Sequence, residues 1–281
     1  MSNMETKLTT NEKIVNKLIE SIEKTEQLPW HAGWVTGGLP VNFTTGKHYN
    51  GINILMLWSG GFTHSKFATY KQIEEAGGQV KKGEKGTPVI YYNTTKRIAK
   101  NAKTDEEKVV SIPFVKLSYA FNISQTEGIM EEVIETGEHV TAEQFISSIP
   151  VKIIHGYDPC YSMIYDEIRL PFRSDVETEE RYYSALFHEL IHWTGKEDRM
   201  NREQVGKFQD EDIYSFEELV AEIGSAFLMA EFRMKPCEEQ NAEYVKGWAD
   251  KINADKNMIV KAASQASKAV EYLLSLSNTS F

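Results

Sequence analysis

Cysteine is nearly absent from this 281-residue chain: there are two, Cys160 and Cys237, far apart and not in a C-x-x-C pair. That spacing reads as free thiols in a reducing cytoplasm, and other residues make better zinc ligands. Long apolar runs are missing too. No stretch approaches the roughly 18 residues of a membrane helix, so no membrane partner is expected. Residues 1–7 lack the apolar core of a secretion signal. Internal repeats and low-complexity tracts are also absent. What is present is ordinary for a globular protein: 41% hydrophobic and 26% charged residues, at a length that suggests two domains.

Positive charge is scarce overall, with a net charge of -10, but it is unevenly spread. Residues 1–125 hold 16 Lys and Arg against 11 Asp and Glu, a net of +5; residues 126–281 hold 15 against 30, a net of -15. Such asymmetry implies different partners for the two halves. The acidic half is unsuited to bind DNA by itself, whereas the basic half is suited.

The most informative stretch is His188-Glu189-Leu190-Ile191-His192. It sits in a helical pattern with an apolar face, and positions i and i+4 of a helix share a face. His188 and His192 can therefore offer two imidazoles to one ion, with Glu189 beside the place where a water would bind. This is the H-E-x-x-H pattern of zinc hydrolases: two ligands and a general base. A catalytic zinc needs a third protein ligand and an open position. The helix-like stretch 216–224 supplies Glu218 and Glu222, four apart on one face. Glu218 is assigned as the ligand, and Glu222 as the group that accepts a hydrogen bond from a ligand histidine and fixes its tautomer. The reverse assignment fits the spacing equally. Glu217 points to another face and is the weaker candidate. Tyr214, His155 and Arg199 are unranked candidates for a second electrophile. The ligand set favours one Zn2+, with Mn2+ or Co2+ also compatible.

Periodicity predicts helices at 11–27, 52–58 and 69–76, then strands at 88–93 and 112–122 joined as a hairpin by a charged stretch, 96–108. An acidic linker is expected over 126–140. Beyond it come a helix at 141–148, strands at 151–155, 162–165 and 167–170, the histidine helix at 178–193, the glutamate helix at 213–232 and a helical pair at 244–275. Residues 168–171 read as an edge strand ended by proline, and the pattern fits equally an ordinary edge strand and one that holds an extended peptide beside the metal. The fold class is α+β: an N-terminal α/β domain (8–125), the linker (126–140) and a C-terminal metal domain (141–281).

The basic half interleaves rings and cations: Trp30, Trp34, Lys47, Tyr49, Tyr70, Lys71, and the Lys81-Lys82-Gly83-Glu84-Lys85-Gly86 turn. Stacking rings beside a cationic groove are how single-stranded nucleic acid is held. From spacing alone, core tryptophans and solvated lysines explain the same pattern.

Residues 40–53, with Pro40-Val41-Asn42-Phe43-Thr44-Thr45-Gly46-Lys47-His48-Tyr49-Asn50-Gly51, resemble the opening motif of ArdC-type antirestriction proteins, as do 69–72 and 77–87. The same N-terminal domain occurs in some conjugation-associated primases. His188-Glu189-Leu190-Ile191-His192-Trp193-Thr194-Gly195 with Glu217-Glu218-Leu219-Val220-Ala221-Glu222 resembles the family's zincin-like half. The resemblance covers roughly residues 10–235. It implies an N-terminal domain that binds single-stranded DNA and a C-terminal metallopeptidase domain, in proteins of mobile elements that shield incoming DNA. It places DNA contact at Asn42, Lys47, Tyr49, Lys71, Lys81, Lys82 and Lys85, with Trp30, Trp34 and Tyr70 as stacking candidates. Partners are then single-stranded DNA and a DNA-bound protein substrate such as a restriction enzyme. The alternative is a non-enzymatic DNA-binding protein whose ion only stabilises the fold.

Overall fold

A computed structural model describes residues 8–31, 38–62, 64–100, 107–129, 141–202, 211–236 and 242–277, without the side chains of 97–100, 107–109, 113 and 211–214. The first helix, α1 (Thr10–Thr25), starts at a capping box: Thr9 accepts from the Glu12 amide and Glu12 accepts from the Thr9 amide. Its apolar face, Ile14, Leu18 and Ile22, is buried as the periodicity requires. A short strand β1 (Val41–Asn42) precedes α2 (Ile52–Trp58), all of whose residues are buried. Strand β2 (Lys66–Thr69) leads directly into α3 (Tyr70–Glu75), again opened by a capping box, between Thr69 and Gln72.

After β3 (Gln79–Val80), strands β4 (Thr87–Lys100) and β5 (Glu107–Asn122) pair along their full lengths. The strands are longer than periodicity predicted. Most of the charged stretch 96–108 is strand rather than connection, because cross-strand pairing satisfies its backbone whatever its side chains are. The sheet order is β1-β2-β5-β4, with β1 parallel to β2 and the other pairs antiparallel. Thr126–Glu127, at the start of the expected linker, form β6 and pair with β3; residues 130–140 of that linker lie outside the described residues.

The C-terminal half begins with α4 (Ala142–Ser148) and a three-stranded sheet of β7 (Lys152–His155), β8 (Cys160–Ser162) and β9 (Glu167–Leu170). Its order is β7-β9-β8, so β9, expected at the edge, is the central strand. Four helices follow: α5 (Glu179–Thr194), α6 (Glu211–Glu231), α7 (Ala242–Ala254) and α8 (Lys256–Leu276).

Both halves contribute to one buried cluster. Ile14, Leu18 and Trp30 belong to the same cluster as Leu190, Leu219 and Leu273. Trp58 of α2 meets Phe227 of α6 edge to face at 5.4 Å, and the Gly51 amide donates to Ser267 of α8 at 2.8 Å. The N-terminal helices are thus part of the packing that carries the histidine helix.

Candidate metal centre and nucleic-acid surface

Helix α5 presents His188 and His192 one turn apart, and α6 lies against it. Gly224 permits this close approach: a Cβ there would sit 2.8 Å from Ile191 of α5. The contact brings Glu218 to the histidines. The two Nε2 atoms are 3.1 Å apart; Glu218 Oε2 is 3.4 Å from His188 Nε2 and Oε1 is 3.4 Å from His192 Nε2. Among the described residues, this is the one group of three that could hold a metal ion. Ligands about 2.0–2.1 Å from a tetrahedral ion stand about 3.3 Å from one another. The observed triangle matches that face, and two imidazoles with one carboxylate suit a divalent ion.

The cluster is electrostatically primed for a cation. Burial alone would lower the His192 pKa, yet hydrogen bonds and charges from Glu217 and Glu218 carry it up to about 9. Burial would raise Glu218, but hydrogen bonds from His188 and His192 hold it well below the usual carboxylate range. A divalent cation replaces the protons that this arrangement otherwise gathers.

The carboxylate at hydrogen-bond distance from the second ring nitrogen of His192 is Glu217; Glu222, expected in that place, meets His31 and Tyr244. Glu217 Oε1 lies 3.2 Å from His192 Nδ1, which turns Nε2 toward the metal position. Arg202 grips the other side, with Nη2 donating to Glu217 Oε1 at 2.6 Å and Nε to Oε2 at 3.1 Å, both side chains almost fully buried. The wide angular reach of adjacent glutamates defeats the simple face argument: Glu217 and Glu218 both reach α5. Glu222 is taken by other partners. His31 Nε2 stands 3.1 Å from its Oε2, and Tyr244 Oη donates to its Oε1 at 3.0 Å. His31 comes from the N-terminal region and has no sequence pattern tying it to a residue 191 positions away. Arg202 and Tyr244 likewise carry no motif.

Glu189 lines a cleft of about 430 Å3 together with His188, Glu222, Tyr182, Trp30 and His31. It is 8% exposed, so it is buried yet opens onto the cleft. Of the second-electrophile candidates, Arg199 is committed elsewhere. It stacks on Trp193 at 4.0 Å and donates to Asp166 and to the Trp193 carbonyl. His155 is stacked between Phe172 and Tyr182 and stands 2.9 Å from the Tyr182 hydroxyl. The Tyr214 side chain is outside the described residues. Strands β7 and β8 are the two edges of their sheet, and Pro159, immediately before β8, lines the cleft. The Cys160 thiol of β8 has its pKa pushed up by burial first and then by the Glu189 carboxylate.

The expected DNA contacts divide. Lys47, Lys71, Lys81, Lys82 and Lys85 are exposed, although Lys81 Nζ also donates to the Ser124 carbonyl at 2.8 Å. Tyr70 is 52% exposed, with its edge toward Phe121. Four other assignments are engaged within the fold or fall outside the description. Trp30 is fully buried and cannot stack on a base. The Asn42 side-chain Oδ1 accepts from the amides of Thr44 and Thr45, which makes Asn42 the organiser of its own turn. Tyr49 is half-buried, edge-on to Phe67, and burial raises its pKa. Trp34 lies outside the described residues.

Residues 9–121 match the N-terminal domain of anti-restriction factor ArdC, and residues 140–265 match a zincin-like metallopeptidase domain. The metal-free crystal structure of antirestriction ArdC protein from plasmid R388 superposes with a TM-score of 0.78 at 33% identity, covering 96% of this chain and 98% of that one. The Mn(II)-bound structure of the same protein gives 0.77 at 31% identity, covering 97% and 99%. A DNA primase TraC of Escherichia coli is 33% identical over 97% of this chain, but the match spans only 20% of the primase. The chain belongs to the ArdC antirestriction family, and its C-terminal half is the zincin-like domain.

Proposed function

We propose that this protein binds single-stranded DNA of an incoming mobile element, as in conjugation, and carries a divalent-metal peptidase centre that acts on a protein bound to that DNA. The observation that carries the peptidase reading is Glu189, next to His188 on the same helix, buried yet lining the same cleft as that histidine. A structural ion needs no base beside it. The ArdC relative crystallised with Mn(II) supports a divalent ion here; the nitrogen-rich ligand set favours zinc. Held by these three residues, the ion would supply Lewis acidity. Glu189 takes a proton from the attacking water as its oxygen bonds to the peptide carbonyl carbon. The same carboxyl then returns that proton to the amide nitrogen as the C–N bond breaks. The edge of β8 is suited to align an extended substrate, the role that β9 cannot take as a central strand. A restriction enzyme is the kind of DNA-bound substrate that fits shielding of the DNA.

The DNA reading is supported by the net charge of +5 over residues 1–125 and by exposed Lys47, Lys71, Lys81, Lys82 and Lys85. Glu189→Gln separates the hydrolytic account from one in which the ion only stabilises the fold. It should retain metal and oligonucleotide affinity and lose both proteolysis and protection of DNA in a restriction assay. Unaltered protection by that variant would make hydrolysis dispensable.

A further inference from the structure

Beyond the core, the β4–β5 hairpin carries a stripe of exposed apolar side chains. In its register, Tyr91 stands opposite Lys116, Asn93 opposite Phe114 and Thr95 opposite Ile112. Directly opposed residues of an antiparallel pair point to the same side, and every second pair shares a face. Tyr91, Phe114 and Ile112 therefore lie on one face with Lys116, and they are 60%, 40% and 39% exposed. The base of this face is fixed. The Asn53 amide of α2 donates to the Ile90 carbonyl at 2.8 Å and accepts from the Ile90 amide at 2.7 Å, immediately before Tyr91. On the opposite face Tyr92, itself 57% exposed, hydrogen-bonds Asn11 of α1, and Val115 and Leu117 pack on the core. The exposed stripe is thus held outward by the fold, and exposed apolar surface of this kind marks a binding site.

Charge identifies the occupant. Of the cations whose side chains are described, the register puts Lys116 on the ring face and Lys96 on the other; in sequence the two strands carry five Lys or Arg against a single carboxylate, Glu107. In a protein of net charge -10, that is a local polyanion site. Rings with open faces have no counterpart in a duplex, whose bases are already stacked, but they match unstacked bases. We propose that this face of the β4–β5 hairpin is the stacking platform for single-stranded DNA, with Tyr91 and Phe114 under successive bases and Lys116, directly across from Tyr91, on the phosphate path. The proposal rests on the DNA-binding reading above and assigns its site to residues outside the family-type motifs. From Tyr91 to Arg97 the strand spans about 20 Å, room for a few nucleotides.

The test uses the full chain with a fluorescein-labelled oligothymidylate and a duplex of equal length, in a salt series. Alanine at either ring should weaken single-strand binding by about tenfold or more. Y91A/F114A should exceed either single change, whereas Tyr91→Phe should bind like wild type. K116E should weaken binding and flatten its salt dependence. Bromodeoxyuridine photocrosslinking to the wild-type protein, read by peptide mass mapping, should mark residues 87–96 or 110–118. That readout does not depend on a variant folding. Wild-type affinity in Y91A/F114A, or crosslinks confined to the Lys81–Lys85 turn, would overturn the platform while leaving DNA binding intact. Equal affinity for duplex would overturn stacking. A wild-type protein that binds no oligonucleotide would overturn the DNA-binding reading and the platform with it.

Discussion

The metal cleft and the β4–β5 hairpin are built on opposite terms. In the cleft, charged groups are held by other charged groups: Arg202 grips Glu217, Glu217 orients His192, and Glu222 is shared by His31 and Tyr244. On the hairpin, rings and cations stand in solvent on a frame held by backbone pairing. The difference follows from what each would bind. An ion needs three donors fixed within tenths of an ångström. A flexible single strand adapts to its surface, so rings and positive charge suffice there.

The contrast can be broken at its strongest point first. Glu189→Gln should lower peptide hydrolysis by roughly 10^2- to 10^4-fold while the metal content of the purified protein stays unchanged. Loss of metal in that variant would mean Glu189 is part of the ion's support, not its base. Next in size, Arg202→Ala leaves Glu217 buried without its partner and should cost about 3–5 kcal/mol in urea unfolding. Cations on the hairpin should show nothing comparable: Lys116→Ala should leave the unfolding midpoint within about 0.5 kcal/mol of wild type. Gly224→Ala forces α6 away from Ile191 and should destabilise by about 1–3 kcal/mol. Because Glu218 rides on α6, isothermal titration should show weaker metal binding as well; an unchanged affinity would mean the helix pair absorbs the methyl group elsewhere.

A further effect is a pH dependence confined to the cleft. The folded His192 pKa, about 9, lies above its ordinary value of 6.5. Its contribution is therefore fully present below about pH 6.5 and is lost as pH rises through about 9. Metal-free protein should lose stability over that window. Saturating zinc or manganese should remove the loss, since the ion takes the place of the proton. Unfolding curves with and without chelator across pH 6–9.5 would check this; a metal-free protein that becomes more stable over the window would reverse the sign.

The part of this architecture legible in the sequence is the part written at short range. His188, Glu189 and His192 form a motif within one helical turn, and Glu218 lies on the next helix in the same apolar pattern. Helix starts were legible where capping boxes stand, as at Thr69 and Gln72. What escaped was set at long range. His31 meets Glu222 across 191 positions. Whether β9 is central or at an edge depends on where β7 and β8 dock, which no local period encodes. Trp30 looked like a stacking ring because composition does not reveal which face of a loop is buried. The hairpin ran longer than its apolar alternation because backbone pairing continued through charged residues.

The central claim is that one folded core presents two independent surfaces, a metal cleft and a DNA-binding face. The most direct measurement is oligonucleotide affinity and metal content on wild type and on His188→Ala, whose imidazole is at the cleft rather than in the core. The account predicts that the variant loses the ion and keeps its preference for single strands at unchanged affinity. If single-strand binding disappears together with the ion, the two surfaces are not independent and the account is contradicted.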